Sequence, residues 1–209
     1  MISRFIAGKY RNPTGIFGKL VGNSMAQGNE PAARWTVSLL NIQPQSHVLE
    51  IGFGPGIGIQ YTSQQAQQGL VAGIDSSKTM LDVARKRNAA AIASGHVDLQ
   101  YGGVSHLPYP NASFDIVFTI HCIYFWANPI DDLKEVRRVL KTDGLLAVTI
   151  MPKANWSKQR TPPTDLSNLY SGDEVVSLLS EAGFHNVRVE ANPQADIFPG
   201  VCILGMNVA

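Results

Sequence analysis

Twelve residues constrain this chain most: His47-Val48-Leu49-Glu50-Ile51-Gly52-Phe53-Gly54-Pro55-Gly56-Ile57-Gly58. A short apolar run enters four glycines at alternate positions, which reads as a strand, a turn and the start of a helix. Glycine is favoured where φ is positive or where a ligand lies against bare backbone, and so dense a run exceeds the needs of a simple turn. The stretch is therefore read as a ligand loop. A dinucleotide fingerprint requires Gly-x-Gly-x-x-Gly at a helix N-terminus. Here the spacing is Gly52-x-Gly54-x-Gly56-x-Gly58, and a frame begun at Gly54 puts Ile59 where the third glycine belongs. Glu50, just before the loop, would repel a pyrophosphate and suits a ligand bearing an ammonium or sulfonium charge.

With 209 residues, 44% hydrophobic and 16% charged, the chain suits one soluble domain with a sizeable core. Its net charge of +1 generates no field for capturing nucleic acid or another general polyanion. Cys122 and Cys202 lie far apart in apolar runs without metal-ligand spacing, so they read as buried reduced thiols and point to a cytoplasmic protein with no metal site. No apolar run approaches the roughly 20 residues that span a bilayer, and the start lacks a signal-peptide core. Residues 1–29 carry Arg4, Lys9, Arg11 and Lys19 and no acid. Two short amphipathic helices, Met1 to Tyr10 and Thr14 to Gln27, are predicted on either side of Asn12-Pro13-Thr14-Gly15. A lid over the site, plain packing or a dimer contact, and a basic face on a membrane surface all fit that segment. A further helix is predicted from Glu30 to Asn41, with Pro31 near its first turn.

After the glycine loop the chain alternates helix and strand. A helix over Ile57 to Gln68 precedes a buried strand, Leu70 to Ile74, that ends at Asp75. An acid there, about 20 residues past the loop, is placed to accept hydrogen bonds from a ribose diol. It also fits the N-cap of a helix predicted from Ser76 to about Ala93. Strands follow at His96 to Tyr101, Ser113 to Ile120 and Leu145 to Ile150, with a helix that starts at Asn128-Pro129 and runs through Asp131 to Lys141, the alternating charges of its exposed side reading as a solvated face. A loop rich in Pro, Lys and Arg spans Met151 to Thr164 and could read an acidic substrate group. Ser171-Gly172-Asp173-Glu174 opens a helix that ends at Gly183, and two strands, His185 to Glu190 and Val201 to Val208, close the chain.

Glu50-x-Gly52-x-Gly54-x-Gly56 resembles motif I of the class I S-adenosylmethionine (SAM) dependent methyltransferases. Asp75-Ser76-Ser77-Lys78-Thr79-Met80-Leu81, Phe114-Asp115-Ile116-Val117 and the Asp143-Gly144 turn with its strand are similar to later motifs of that family. The resemblance covers about residues 45 to 205 and is closest to the ubiquinone-biosynthesis-type group acting on small metabolites. It implies an α/β Rossmann-like doubly wound seven-stranded sheet, mostly parallel with an antiparallel last strand. One domain, 1–209, would comprise an N-terminal helical lid (1–43) and a core (44–209). It also implies SAM as cofactor, S-adenosylhomocysteine (SAH) as product, and methyl transfer to a small-molecule acceptor by in-line displacement.

On that resemblance the cofactor is held by Glu50, Gly52, Gly54, Gly56, Asp75, Ser76, Gly103, Val104 and His121. The family usually has an acid that accepts from the adenine amino group where this chain has Gly103, leaving the backbone of Gly103 and Val104 to read the base. Because methyl transfer from a sulfonium needs little acid-base help, the run His121-Cys122-Ile123-Tyr124-Phe125-Trp126 at the C-terminal sheet edge would supply positioning and aromatic faces. Within it His121 and Tyr124 are the polar candidates for catalysis, Ile123 and Phe125 are assigned to packing, and Trp126 is left open between the two. Two other classes fit the same loop: a SAM-binding protein without transfer activity, and a nucleotide-dependent oxidoreductase on the same sheet.

Overall fold

Short apolar strands alternate with amphipathic helices along the chain, and burying both faces of every central strand forces the helices into two layers around one parallel sheet. The computed structural model describes residues 15–156 and 168–208. The predicted helix Met1 to Tyr10 and residues 157–164 of the basic loop lie outside them. In chain order the elements are α1 (Gly15–Leu39), β1 (His47–Ile51), α2 (Ile57–Gln65), β2 (Leu70–Asp75), α3 (Lys78–Arg87), α4 (Ala89–Ala93), β3 (Val97–Tyr101), β4 (Phe114–Ile120), α5 (Pro129–Val139), β5 (Leu140–Ile150), α6 (Lys153–Trp156), α7 (Gly172–Glu181), β6 (His185–Ala191) and β7 (Val201–Asn207).

The seven strands run in the order β3-β2-β1-β4-β5-β7-β6. All neighbours from β3 to β5 are parallel, and β7 is antiparallel to both β5 and β6. This is the expected doubly wound Rossmann-like sheet. Strand alternation sends Leu49, Val117 and Leu146 to one face, against Leu133 and Val136 of α5 and Leu179 of α7. Val48, Ile116 and Phe118 go to the other, against Val37 of α1 and Leu40 just past its end, Ile59 of α2 and Leu81 of α3.

Several boundaries differ from expectation, and the loop expected from Met151 carries the short helix α6. The helices expected over Thr14 to Gln27 and Glu30 to Asn41 are one continuous α1, with Pro31 inside it. Proline forfeits a helical hydrogen bond there, but Ala32, Ala33, Val37 and Leu40 next to it are buried. Fully buried Thr36 also reaches the sheet: its Oγ1 donates to the Ala32 carbonyl at 2.8 Å and lies 2.7 Å from Thr149 Oγ1 on β5. The helix expected to reach Ala93 breaks at Asn88, whose Nδ2 donates to the Gly56 carbonyl at 3.1 Å as well as to Ala84 at 2.9 Å. Strand β5 begins at Leu140 rather than Leu145, absorbing the Asp-Gly turn with Asp143 at φ 60° and a register shift opposite Phe114 and Ile116.

Candidate active site

The strand order reverses direction between β1 and β4, and a cleft opens there at the C-terminal ends of the strands, as open α/β sheets provide. The cavity measures about 360 Å³, within the range of small-ligand sites. The glycine loop, the end of β2, residues 102–105, the end of β4 with the short 3-10 turn Ile123–Phe125, Asp132 of α5, and Asn29 and Ala33 of α1 enclose it.

The loop is pinned to the sheet by the Gly52 amide, which donates to the Ile74 carbonyl at 2.8 Å. Gly54, at φ 50°, differs from its neighbours: a side chain there would meet nothing within 4 Å. Its bare backbone faces the cavity, the arrangement required for close approach of a ligand. Gly58 has another reason to lack a side chain, because a Cβ would occupy the space of the Glu50 carboxylate.

Glu50 is 3% exposed and its Oε2 has no hydrogen-bond partner among the described residues. Burial first, then the neighbouring Asp75, push its carboxyl well above the usual carboxylate range, against the favourable backbone N–H of Ile59 at the start of α2. Asp75 accepts from the Gly54 amide through Oδ2 and from the Ser77 amide through Oδ1, each at 2.8 Å. Burial raises its pKa too, opposed by those two donors. Asp75 is not the N-cap of α3. Ser77 is, accepting from the Met80 amide at 3.3 Å, so the Asp75 carboxylate ties the loop to β2. Ser76, exposed, lies on the rim beside it, and Gly103 and Val104 form the far wall.

His121 ends β4 with a left-handed φ of 56°. Its ring stacks on Tyr124 at 6.2 Å and meets the Phe198 ring edge-on at 5.3 Å, while Nδ1 is buried with no partner among the described residues. Burial lowers its pKa to about 4, so the imidazole is neutral around pH 7. Cys122 beside it stays a thiol, pushed up to about 12 by burial.

Every predicted site residue except Gly56 and Tyr124 lines this one cavity. Gly56 is the left-handed N-cap of α2 and lies against Ala84 and Asn88 of α3. For Tyr124 the structure corrects the expectation that its hydroxyl serves the reaction. The side chain is 1% exposed, and its hydroxyl donates to the Met151 carbonyl at 3.0 Å and accepts from the Met151 amide at 2.7 Å. Phe125, assigned to packing, is a second correction: it lines the cavity, as does Trp126. Asp132 is a third. Read as part of a solvated helix face, it is 2% exposed and on the cavity wall. The signal was there in the spacing: Asp132, Val136 and Val139 form one stripe of α5, and an acid heads it.

The arrangement fits an adenosyl cation. Bare backbone at Gly54 leaves room for a ligand, Glu50 Oε2 has no partner among the described residues, and the Asp75 carboxylate borders the same cavity. Such a loop and such acids on a seven-stranded sheet of this order resemble the cofactor site of class I SAM-dependent methyltransferases.

Comparison with known proteins agrees. Residues 49–148 match the methyltransferase domain family. The chain is 27% identical over 172 residues to the uncharacterized methyltransferase YdaC of Bacillus subtilis (strain 168), covering 82% of this chain and 89% of that one. It is 34% identical over 109 residues to the demethylmenaquinone methyltransferase of Symbiobacterium thermophilum, covering 52% of this chain and 43% of that one. The chain thus spans less than half the length of the latter relative. A SAM-dependent methyltransferase structure from Aquifex aeolicus shares the fold, with a TM-score of 0.73, 21% identity and 98% of each chain covered. Among the described residues no helix is long and apolar enough to cross a membrane.

Proposed function

We propose that the chain methylates a small-molecule acceptor, with His121 as the residue that meets the acceptor. The single observation carrying this is the His121 imidazole, neutral, with Nδ1 unpartnered and inside the cavity wall beside an aromatic ring. When bound, SAM supplies an activated methyl group attached to a leaving group that departs neutral. Glu50 neutralises positive charge under the loop, Asp75 accepts from the ribose hydroxyls, and Ser76 borders the nucleoside. Gly52 and Gly54 offer backbone to the methionine half, and Gly56 holds the helix start behind them. Gly103 and Val104 border the base.

The acceptor then lies between the end of β4 and α1, where Phe125, Trp126 and Ala33 exclude water. His121 orients a hydroxyl or amine there and takes the proton it sheds as its new bond to carbon forms. A ring nitrogen with so low a pKa does not keep that proton, so it passes to solvent and the ring returns neutral. The demethylmenaquinone methyltransferase relative makes quinone-type compounds the first class to screen.

Two measurements test this. Calorimetric titration with SAM, SAH and NADH should show binding of both adenosyl ligands and none of NADH; NADH binding alone overturns the reading. A screen for SAH release should then respond to small hydroxylated or amine acceptors. His121→Asn, a residue that tolerates positive φ, should lower turnover about 100-fold or more on such an acceptor if proton transfer is lost. Undiminished turnover removes His121 from the reaction.

A further inference from the structure

Helix α5 buries Asp132, Leu133, Val136 and Val139 on one face. Three of the four are apolar core residues, and the first is a carboxylate that is 2% exposed. One of its oxygens is accounted for: Ser105 Oγ donates to Oδ1 at 2.6 Å. The other, Oδ2, is buried with no partner among the described residues. A buried acceptor without a donor is costly, so an acid on an apolar stripe demands a donor that comes from elsewhere. Asp132 lines the cavity together with Gly102, Gly103, Val104 and Ser105.

That end of the cavity is where the nucleobase belongs. The Gly102 amide donates to the Asp75 carbonyl at 3.0 Å, which sets residues 102–105 directly beyond the carboxylate placed for the ribose. With the ribose at Asp75 and the loop on its other side, the base extends toward Val104. Gly103 borders open space, since a Cβ there would meet no atom within 4 Å, and the residue has no acceptor to offer beyond its backbone. Adenine carries one exocyclic amino group, a pure donor.

We propose that Asp132 is the adenine-reading acid of this protein, with Ser105 fixing Oδ1 and Oδ2 accepting from the 6-amino group. The acid stands on α5 instead of at the Gly103 position, and its free oxygen selects an adenosyl ligand over one with a 6-oxo base. This rests on SAM as the cofactor. It explains why the loop tolerates glycine at 103 and why α5 carries a carboxylate on its buried stripe.

The test compares calorimetric affinities for SAH and S-inosylhomocysteine, which differ only in an amino group replaced by oxygen on the base and the ring proton that follows. The parent should prefer SAH by about tenfold or more, the scale of a hydrogen bond to a charged group. Asp132→Ala should lose that preference mainly through weaker SAH binding. Asp132→Asn is close in shape and can turn its amide donor to the oxo group, so it should flatten or reverse the preference while still folding. Gly103→Asp placed on Asp132→Ala should restore part of it, since the space at 103 is open. A purely structural Asp132 would lower the stability of its variants and leave the SAH-to-inosyl ratio at the parent value, and that result overturns the proposal. A parent that binds SAH without discriminating also overturns it. A parent that binds no SAH overturns the cofactor assignment itself.

Discussion

At the residue scale, neighbouring polar side chains divide into those committed to the fold and those held open. Tyr124 and His121 have rings 6.2 Å apart, yet the Tyr124 hydroxyl is saturated by the Met151 backbone while His121 Nδ1 has no partner. Tyr124→Phe should therefore act on stability: it removes two buried hydrogen bonds to the Met151 backbone, at a cost of about 1–3 kcal/mol. In a chain of this size that lowers Tm by roughly 2–4 °C per kcal/mol. Turnover per folded molecule should hold, the opposite of His121→Asn. Thermal unfolding alongside initial rates separates the two, and a turnover loss in Tyr124→Phe without a Tm change would return Tyr124 to the reaction. From the sequence both were polar residues in one aromatic run, because a side chain's commitment to distant backbone leaves no trace in local pattern. Asp132 was hidden for a related reason: charged neighbours at Asp131, Lys134 and Glu135 mask a single buried acid.

At the element scale the glycine loop separates folding from binding within a few residues. Gly54→Ala meets no atoms within 4 Å, so it costs only the strain of a left-handed alanine, about 1–2 kcal/mol. SAH affinity should fall by far more than that strain, since the added methyl occupies ligand space. Gly56→Ala should do the reverse and chiefly destabilise, because φ is 79° and a Cβ would lie 2.7 Å from Ala84 Cβ. Paired denaturant and calorimetric measurements check the contrast; a Gly54→Ala protein that binds SAH like the parent would show that the loop is not the ligand bed. Helix α1 offers a second case. Its buried link to β5 joins two hydroxyls, Thr36 and Thr149. Thr36→Val should cost about 1 kcal/mol by removing the hydroxyl that pairs with Thr149, and Thr36→Val/Thr149→Val should cost less than the sum of the single changes. Additive denaturation midpoints would mean the pair is not coupled. All seven strands and the loop were legible in the sequence because period-2 apolar runs and glycine spacing are local. The continuity of α1 through Pro31 and the break at Asn88 were not, since each depends on a contact with a remote segment: the sheet for α1, the Gly56 carbonyl for Asn88.

At the scale of the whole molecule, the candidate site opposes its own stability from both sides of neutrality. Glu50 and Asp75 have folded pKa values raised above their ordinary ones. The native state holds those protons more tightly than the unfolded chain, so the stability they contribute is present below pH about 4 and is lost as pH rises through the folded values. His121 is lowered to about 4 from 6.5. The native state binds its proton less tightly, and stability falls as pH drops through 6.5 toward 4. Asp115, which burial raises but Lys141 and the His47 amide hold below its ordinary value overall, adds to the loss in acid. The ligand-free protein should thus lose stability in acid as His121 charges, and lose it again as pH rises through the raised values of the two neighbouring carboxylates. A cation in the cleft removes the second penalty because it pairs with the charges that appear there. The rise in Tm on saturating with SAM, which follows affinity by mass action, should therefore grow between pH 5.5 and pH 8. SAH has no sulfonium, so its gain should climb less steeply. Glu50→Gln should raise the ligand-free Tm at pH 8 and flatten the slope for SAM. Thermal scans of parent and variant across that range decide it. A SAM-induced rise that is the same at both ends, or that Glu50→Gln leaves unchanged, would mean that these carboxylates do not face the cofactor's charge and that their burial needs another explanation.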